Sequence, residues 1–208
     1  MRRAGTVLSC PGVGWRMMGR GYTIFDTGIG RCGIAWRDDG IVGVQLPEAR
    51  EIETRKRLFQ LYPDAREQRA PVNVEIAIEG IVTLLRGGNG DFSDVVLDMT
   101  GIPAFNQRVY TFVRSIPRGE TRIYDEVAAH LRASGAVYSV AQAIARNPFM
   151  IIVPCHRVLE AGHYADRISP HGGAISKRRL LSIEGTHTTS SKTLFDVLLP
   201  VAPPRPPT

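Results

Sequence analysis

The sequence is short of cysteine and has no long apolar run, and each shortage removes a class of protein. Only Cys10, Cys32 and Cys155 are present, with no C-x-x-C spacing, so a disulfide framework, a zinc knuckle and a dithiol redox pair are all excluded. An odd set of thiols suits a reducing compartment. The basic start Met1-Arg2-Arg3 is followed, over residues 4–20, by Gly, Pro and Arg rather than the apolar stretch of a signal peptide. No other segment approaches the roughly 20 apolar residues that cross a bilayer, so a cytoplasmic protein without membrane attachment is expected.

What is present is a chain of 208 residues, 43% apolar and 22% charged, enough to bury a core as one large or two small domains. The net charge of +6 attracts polyanions, but ribosomal, membrane-surface and plainly soluble proteins share such basicity.

Residues 1–20 read as an irregular extension in which Met17 and Met18 offer a later start. From Tyr22 the pattern is strand-like: residues 22–25, 32–36 and 41–45, separated by Gly28 to Gly30 and by Asp38-Asp39-Gly40, predict an antiparallel meander. A charged helix over 49–61 stops before Pro63. A second starts near Pro71, carries Val74, Ile78, Ile81 and Leu85 as its stripe, and ends at Gly87-Gly88. A strand, Val95 to Leu97, precedes a break at Gly101-Ile102-Pro103, after which helices are predicted over 105–115, 124–132 and 136–145. The fold class expected is therefore α+β, with a domain at 21–100, a mostly helical one at 101–186, and a Ser-, Thr- and Pro-rich tail at 187–208.

The last two of those helices, joined through Ser134-Gly135, have helix-turn-helix proportions. Val137, Val140, Ala141 and Ile144 form the expected buried stripe of the second, leaving Tyr138, Gln142 and Ala145 on a flank. Small residues, Ser139, Ala141, Ala143 and Ala145, let its backbone approach a groove wall; the plainer reading is two packed core helices.

The most informative segment is Asn147-Pro148-Phe149-Met150-Ile151-Ile152-Val153-Pro154-Cys155-His156-Arg157-Val158. Its apolar run reads as a short buried strand delivering a cysteine and a histidine at its end. A buried cysteine is commonly inert packing, so the dipeptide alone does not establish chemistry.

These residues do not stand alone. Asn147-Pro148 and Pro154 to Val158 are followed by Gly172-Gly173, Lys177-Arg178, Leu180-Leu181 and Glu184-Gly185, and preceded by Phe105 to Tyr110, Ile116 to Thr121 and Tyr124. In that order they resemble the O6-alkylguanine-DNA alkyltransferase family over about residues 101–185. The N-terminal half matches only in its meander and helices, which the resemblance implies to be a ribonuclease-H-like domain.

The resemblance implies a single, irreversible transfer of an alkyl group from O6 of guanine in duplex DNA to Cys155. Only a thiolate is nucleophilic enough near neutrality, and a free thiol with a pKa of about 8.5 needs help to ionise. His156, through a water, is implied to take the proton, Glu184 to orient the imidazole, and Tyr124 to donate its hydroxyl to the base. Asn147 is implied to tie the second helix to the cysteine segment. Tyr138, Ser139, Ala141, Gln142, Arg146 and Arg157 are implied DNA contacts, with Arg118, Arg122, Arg132, Lys177, Arg178 and Arg179 as further candidates for phosphate. The helix-turn-helix is implied to enter the minor groove and flip the nucleotide out. The protein is expected to act as a monomer with no metal, nucleotide or organic cofactor, and His163 and His171 are not read as ligands.

Two departures from the family pattern stand out. Tyr138 occupies a position where the family carries an arginine that enters the base stack; a tyrosine ring can wedge there but cannot make the guanidinium's hydrogen bonds. The segment Ser169-Pro170-His171 replaces a stretch that commonly holds a tyrosine, and Pro170 has no N–H to offer a base. They motivate a rival reading, a lesion-binding or sensor protein of the same fold with little or no transfer. A cysteine hydrolase is the third reading, disfavoured because no oxyanion-hole motif is evident.

Overall fold

The computed structural model describes residues 20–160 and 173–186. The expected N-terminal extension, the Ser169-Pro170-His171 segment, His163 and the tail lie outside them.

Strands β1 (Gly21–Thr27), β2 (Gly30–Arg37) and β3 (Gly40–Gln45) form the predicted meander, joined by tight turns that pair Thr27 with Gly30 and Arg37 with Gly40. Alternation along β2 sends Cys32, Ile34 and Trp36 to one face and Ala35 to the other. Helix α1 (Glu51–Leu61) covers the second face through Leu58, against Ala35 and Val42. A two-residue β4 (Arg66–Glu67) then adds parallel to β1, giving the order β3-β2-β1-β4. Helix α2 (Val72–Leu85) covers the first face. Its buried stripe is Val74, Ala77, Ile81, Leu84 and Leu85; Ile78, expected there, is only partly buried. Gly87 at φ 85° ends it: Gly88 N–H reaches Thr83 O and Gly87 N–H reaches Leu84 O, a left-handed cap that only glycine adopts cheaply.

The strand expected at Val95 to Leu97 does not form. Leu97 makes one isolated bridge to Ile41, and the Asp98 side chain then accepts Thr100 N–H at 2.9 Å, turning the chain away.

Helices α3 (Ala104–Arg114), α4 (Tyr124–His130) and α5 (Val137–Ala145) follow, within a few residues of the sequence-based expectations. They enclose a second core of Val109, Tyr110, Val113, Val127, Ala128, Val140, Ala143 and Ile144. The stripe of α5 is turned relative to the expectation: Ala143 is buried, while Val137 and Ala141 are half-buried. Between α3 and α4 lies β5 (Arg122–Ile123), parallel to β6 (Val158–Leu159), and α6 (Gly173–Ile183) closes the described chain.

Residues 149–153 correct a further expectation. They form a tight turn and not a strand: Ile152 N–H bonds Met150 O, Val153 N–H bonds Phe149 O, and Ile151 sits at φ 73°. A β-branched residue in the left-handed region is strained, and here packing holds it, because Met150, Ile151 and Ile152 fill the first core beside Leu180 and Ile183. Val44 N–H bonds Pro148 O at 2.8 Å, so β3 fixes the start of the turn.

Candidate active site

Cys155 packs against both cores and is half-buried. Pro154 leads into a 3-10 turn, Cys155–Arg157, closed by Arg157 N–H to Pro154 O at 2.9 Å. The turn presents the thiol on one side, 3.9 Å from Met150 Sδ, and sends the next two side chains inward.

One buried amide clamps the approach. Asn147 Nδ2 donates to Val153 O at 2.9 Å and its Oδ1 accepts Phe149 N–H at 3.0 Å, so the end of α5 is tied to both sides of the turn before Cys155. Asn147→Ala leaves the Phe149 N–H without its acceptor; a loss of about 1–3 kcal/mol in denaturant melts is expected, with a slower transfer rate. An unchanged rate removes the role.

His156 is 2% exposed and its Nε2 lies 2.9 Å from Glu184 Oε1. Burial pushes Glu184 up, but the hydrogen bonds and charges of His156 and Arg157 outweigh it and hold its carboxyl at about 2. An ionised carboxylate only accepts, so Nε2 carries the imidazole proton and Nδ1 carries the free lone pair. Nδ1 is buried with no hydrogen-bond partner among the described residues. Burial also lowers the proton affinity of the ring, against the pull of Glu184, so His156 is neutral at pH 7 and ready to accept.

The Cys155 thiol is pushed up by burial and drawn down by a hydrogen bond from Asn147 and by the charge of Lys177. Tyr124, at the start of α4, packs in the second core that Cys155 also touches. Burial, and then the negative charge that forms at Cys155, keep its phenol protonated and able to donate. Cys32 is different: it is fully buried and its thiol is pushed up to about 12.

Of the expected DNA contacts, Tyr138 is 75% exposed, and Ser139, Gln142 and Arg146 are exposed with it along or just after α5; Ala141 is half-buried. Arg157 is a correction. Its guanidinium is buried and forks onto Glu184, at 2.9 Å and 2.7 Å, with a third bond to Ile116 O at 2.6 Å, so it has no surface to give to phosphate. Lys177 is likewise buried, on Val158 O at 2.7 Å. Arg118 holds the carbonyls of Gly87, Gly88 and Ile183, fastening the end of α2 to the end of α6. Sequence alone hid these roles because a basic residue reads as surface until a carboxylate or a ring of carbonyls is folded onto it.

This mixed α+β frame sets a half-buried cysteine next to a buried histidine that is hydrogen-bonded to a buried carboxylate, with a helix, exposed along one flank, tied to the turn before the cysteine. Residues 104–186 match the family described as 6-O-methylguanine DNA methyltransferase, DNA binding domain. A methylated-DNA–protein-cysteine methyltransferase of Methanothermobacter thermautotrophicus is 37% identical over 153 residues, 74% of this chain and 78% of that protein. The Mycolicibacterium paratuberculosis protein of the same name is 32% identical over 178 residues, covering 84% and 98%. A crystal structure of Mycobacterium tuberculosis OGT in complex with DNA superposes with a TM-score of 0.61 at 30% identity, covering 78% of this chain and 91% of that one. The chain belongs to the methylated-DNA–protein-cysteine methyltransferase family.

Proposed function

We propose that this protein repairs DNA by moving the alkyl group of O6-alkylguanine onto Cys155, once per molecule. The observation that carries this reading is the relay itself: a half-buried thiol next to a histidine whose free nitrogen is fixed by a buried, ionised Glu184. The thiol proton passes through a water to His156 Nδ1, the sulfur attacks the alkyl carbon, and the carbon–O6 bond breaks with its electron pair staying on guanine. Tyr124 donates to the base as that charge develops. The thioether formed is stable to water, so the protein is consumed, and no metal or cofactor takes part.

The partner is duplex DNA, recognised through α4, the turn at residues 131–136 and α5 acting as a helix-turn-helix in the minor groove. Residues 101–186 form this catalytic unit and 21–100 a ribonuclease-H-like one. The protein works as a monomer in the cytoplasm; no helix among the described residues is long and apolar enough to cross a membrane. With Tyr138 standing free on α5, its ring fills the stack that the flipped nucleotide vacates. Tyr138→Ala is expected to weaken binding to a lesion duplex by about 5- to 150-fold, the equivalent of 1–3 kcal/mol of base–aromatic stacking, in a fluorescence anisotropy titration. Unaltered binding would mean that Tyr138 takes no part in flipping.

The whole reading is tested by incubating the protein with a duplex carrying radiolabelled O6-methylguanine. Label should move to protein and saturate at one methyl per molecule. Tight lesion binding with no transfer would favour the sensor reading that the tyrosine at 138 motivates.

A further inference from the structure

A cavity of about 430 Å³ lies where the segment after α2 meets the end of α3 and the turn before Cys155. That falls within the roughly 300–1,000 Å³ that small-molecule sites occupy. The cavity is separate from the site described above: Pro154 lines it, but Cys155, His156, Tyr124 and Asn147 do not. Its walls divide by chemistry. Leu84, Phe92, Ile151, Ile152 and Pro154 supply an apolar side, and Asn89, Thr111, Arg114 and Arg118 a polar one.

The charge on that polar side is unbalanced. Arg114 and Arg118 are both half-buried. Arg114 gives only its Nη2, to Val95 O at 2.8 Å and to the carbonyls of Phe92 and Ser93. Arg118 gives Nη1 to Gly88 O at 2.7 Å and Nη2 to Gly87 O at 2.8 Å and Ile183 O at 3.0 Å. Carbonyls hold a guanidinium in place but cancel none of its charge. Burial lowers the proton affinity of Arg114, and no acidic group offsets it. Nε and Nη1 of Arg114 and Nε of Arg118 have no hydrogen-bond partner among the described residues, so donors are left over. Arg157 also lines the cavity, but its charge is met by Glu184. The one carboxylate on the lining is Asp91, which is exposed to water and accepts Ser93 N–H at 2.9 Å. Two unpaired guanidiniums outweigh it.

An anion with an apolar body answers both sides of such a cavity. A phosphate group brings three acceptor oxygens and up to two charges, enough for two guanidiniums, where a carboxylate brings two oxygens and one charge. We propose that this cavity binds a small phosphomonoester, its phosphate on Arg114 and Arg118 and its apolar body against Ile151, Ile152 and Pro154. The site owes nothing to the alkyl-transfer chemistry and stands or falls separately from it.

The test is isothermal titration calorimetry of the full chain with phenyl phosphate, inorganic phosphate and phenol. Phenyl phosphate is expected to bind one per chain and more tightly than inorganic phosphate, and phenol not to bind. Arg114→Gln keeps a donor for the carbonyls and removes the charge, and is expected to weaken phenyl phosphate about tenfold or more. Thr111→Glu, at an exposed position of α3, sets a negative charge on the lining without touching either arginine, and is expected to weaken it likewise. If Arg114→Gln fails to fold, Thr111→Glu carries the comparison. No one-to-one binding of phenyl phosphate, phenol binding as tightly, or parent-like affinity in Thr111→Glu overturns the proposal. A loss in Arg146→Gln beside parent-like affinity in Arg114→Gln also overturns it, by placing the ligand on α5.

Discussion

Cys155→Ala is expected to abolish methyl acceptance outright while leaving binding to an O6-methylguanine duplex within about twofold of the parent, since a small change at a pocket wall removes no phosphate contact. The effect is total because no other described thiol can stand in. Cys32 is sealed in the first core with its thiol pushed up to about 12, so it forms almost no thiolate at neutral pH. Transfer assays and anisotropy titrations on the same preparation separate the two outcomes. Residual transfer by Cys155→Ala would place the acceptor elsewhere, with Cys10 the remaining thiol in the chain.

Arg157→Met is expected to have the largest effect on stability. Arg157 and His156 are the partners of a fully buried carboxylate, and Arg157 makes two of its three hydrogen bonds. Removing one member of such a pair leaves an uncompensated charge inside the protein, a loss of about 3–5 kcal/mol. In a chain of this size that lowers the melting temperature by about 10 °C. The sign with pH follows from the depressed carboxyl: stability from Glu184 is fully present above its ordinary value of 4.5 and is lost as pH falls towards about 2. In Arg157→Met the carboxyl rises, so acid unfolding moves to higher pH. Transfer falls as well, because Glu184 no longer holds His156 from a fixed position. A variant that melts like the parent would show that the fork contributes little.

The meander and five of the six helices were legible because their residues obey a period: alternation through Cys32, Ile34 and Trp36, and stripes such as Val109 and Val113 on α3. Helix α6 is not legible in the sequence, although Lys177, Leu180, Leu181 and Glu184 recur at its spacing and are all buried. Three of these are charged or flanked by arginine, which masks the apolar face. The two-residue strands β5 and β6 are too short to carry any period. The turn at Ile151 reads as a strand because its apolar run satisfies a strand pattern; the left-handed residue is held by packing in the first core beside Leu180 and Ile183, which no local pattern records.

The site divided in the same way. Cys155, His156, Glu184, Asn147 and Tyr124 are legible as ordered motifs; in the fold Asn147 bonds the turn before Cys155, His156 pairs with Glu184, and Tyr124 packs against the core that Cys155 also touches. Arg157 reads as a DNA contact because sequence records that a residue is basic and not what neutralises it. Its partner Glu184 lies 27 residues away, a separation that only the packing of α6 closes.

The central claim is that Cys155 is the methyl acceptor, and digest mass spectrometry after incubation with an O6-methylguanine duplex tests it most directly. The account predicts one added methyl on the peptide containing Cys155, at no more than one per molecule, and none on the peptides containing Cys10 or Cys32. An unmodified Cys155 beside retained lesion binding, or a methyl on another residue, would contradict it.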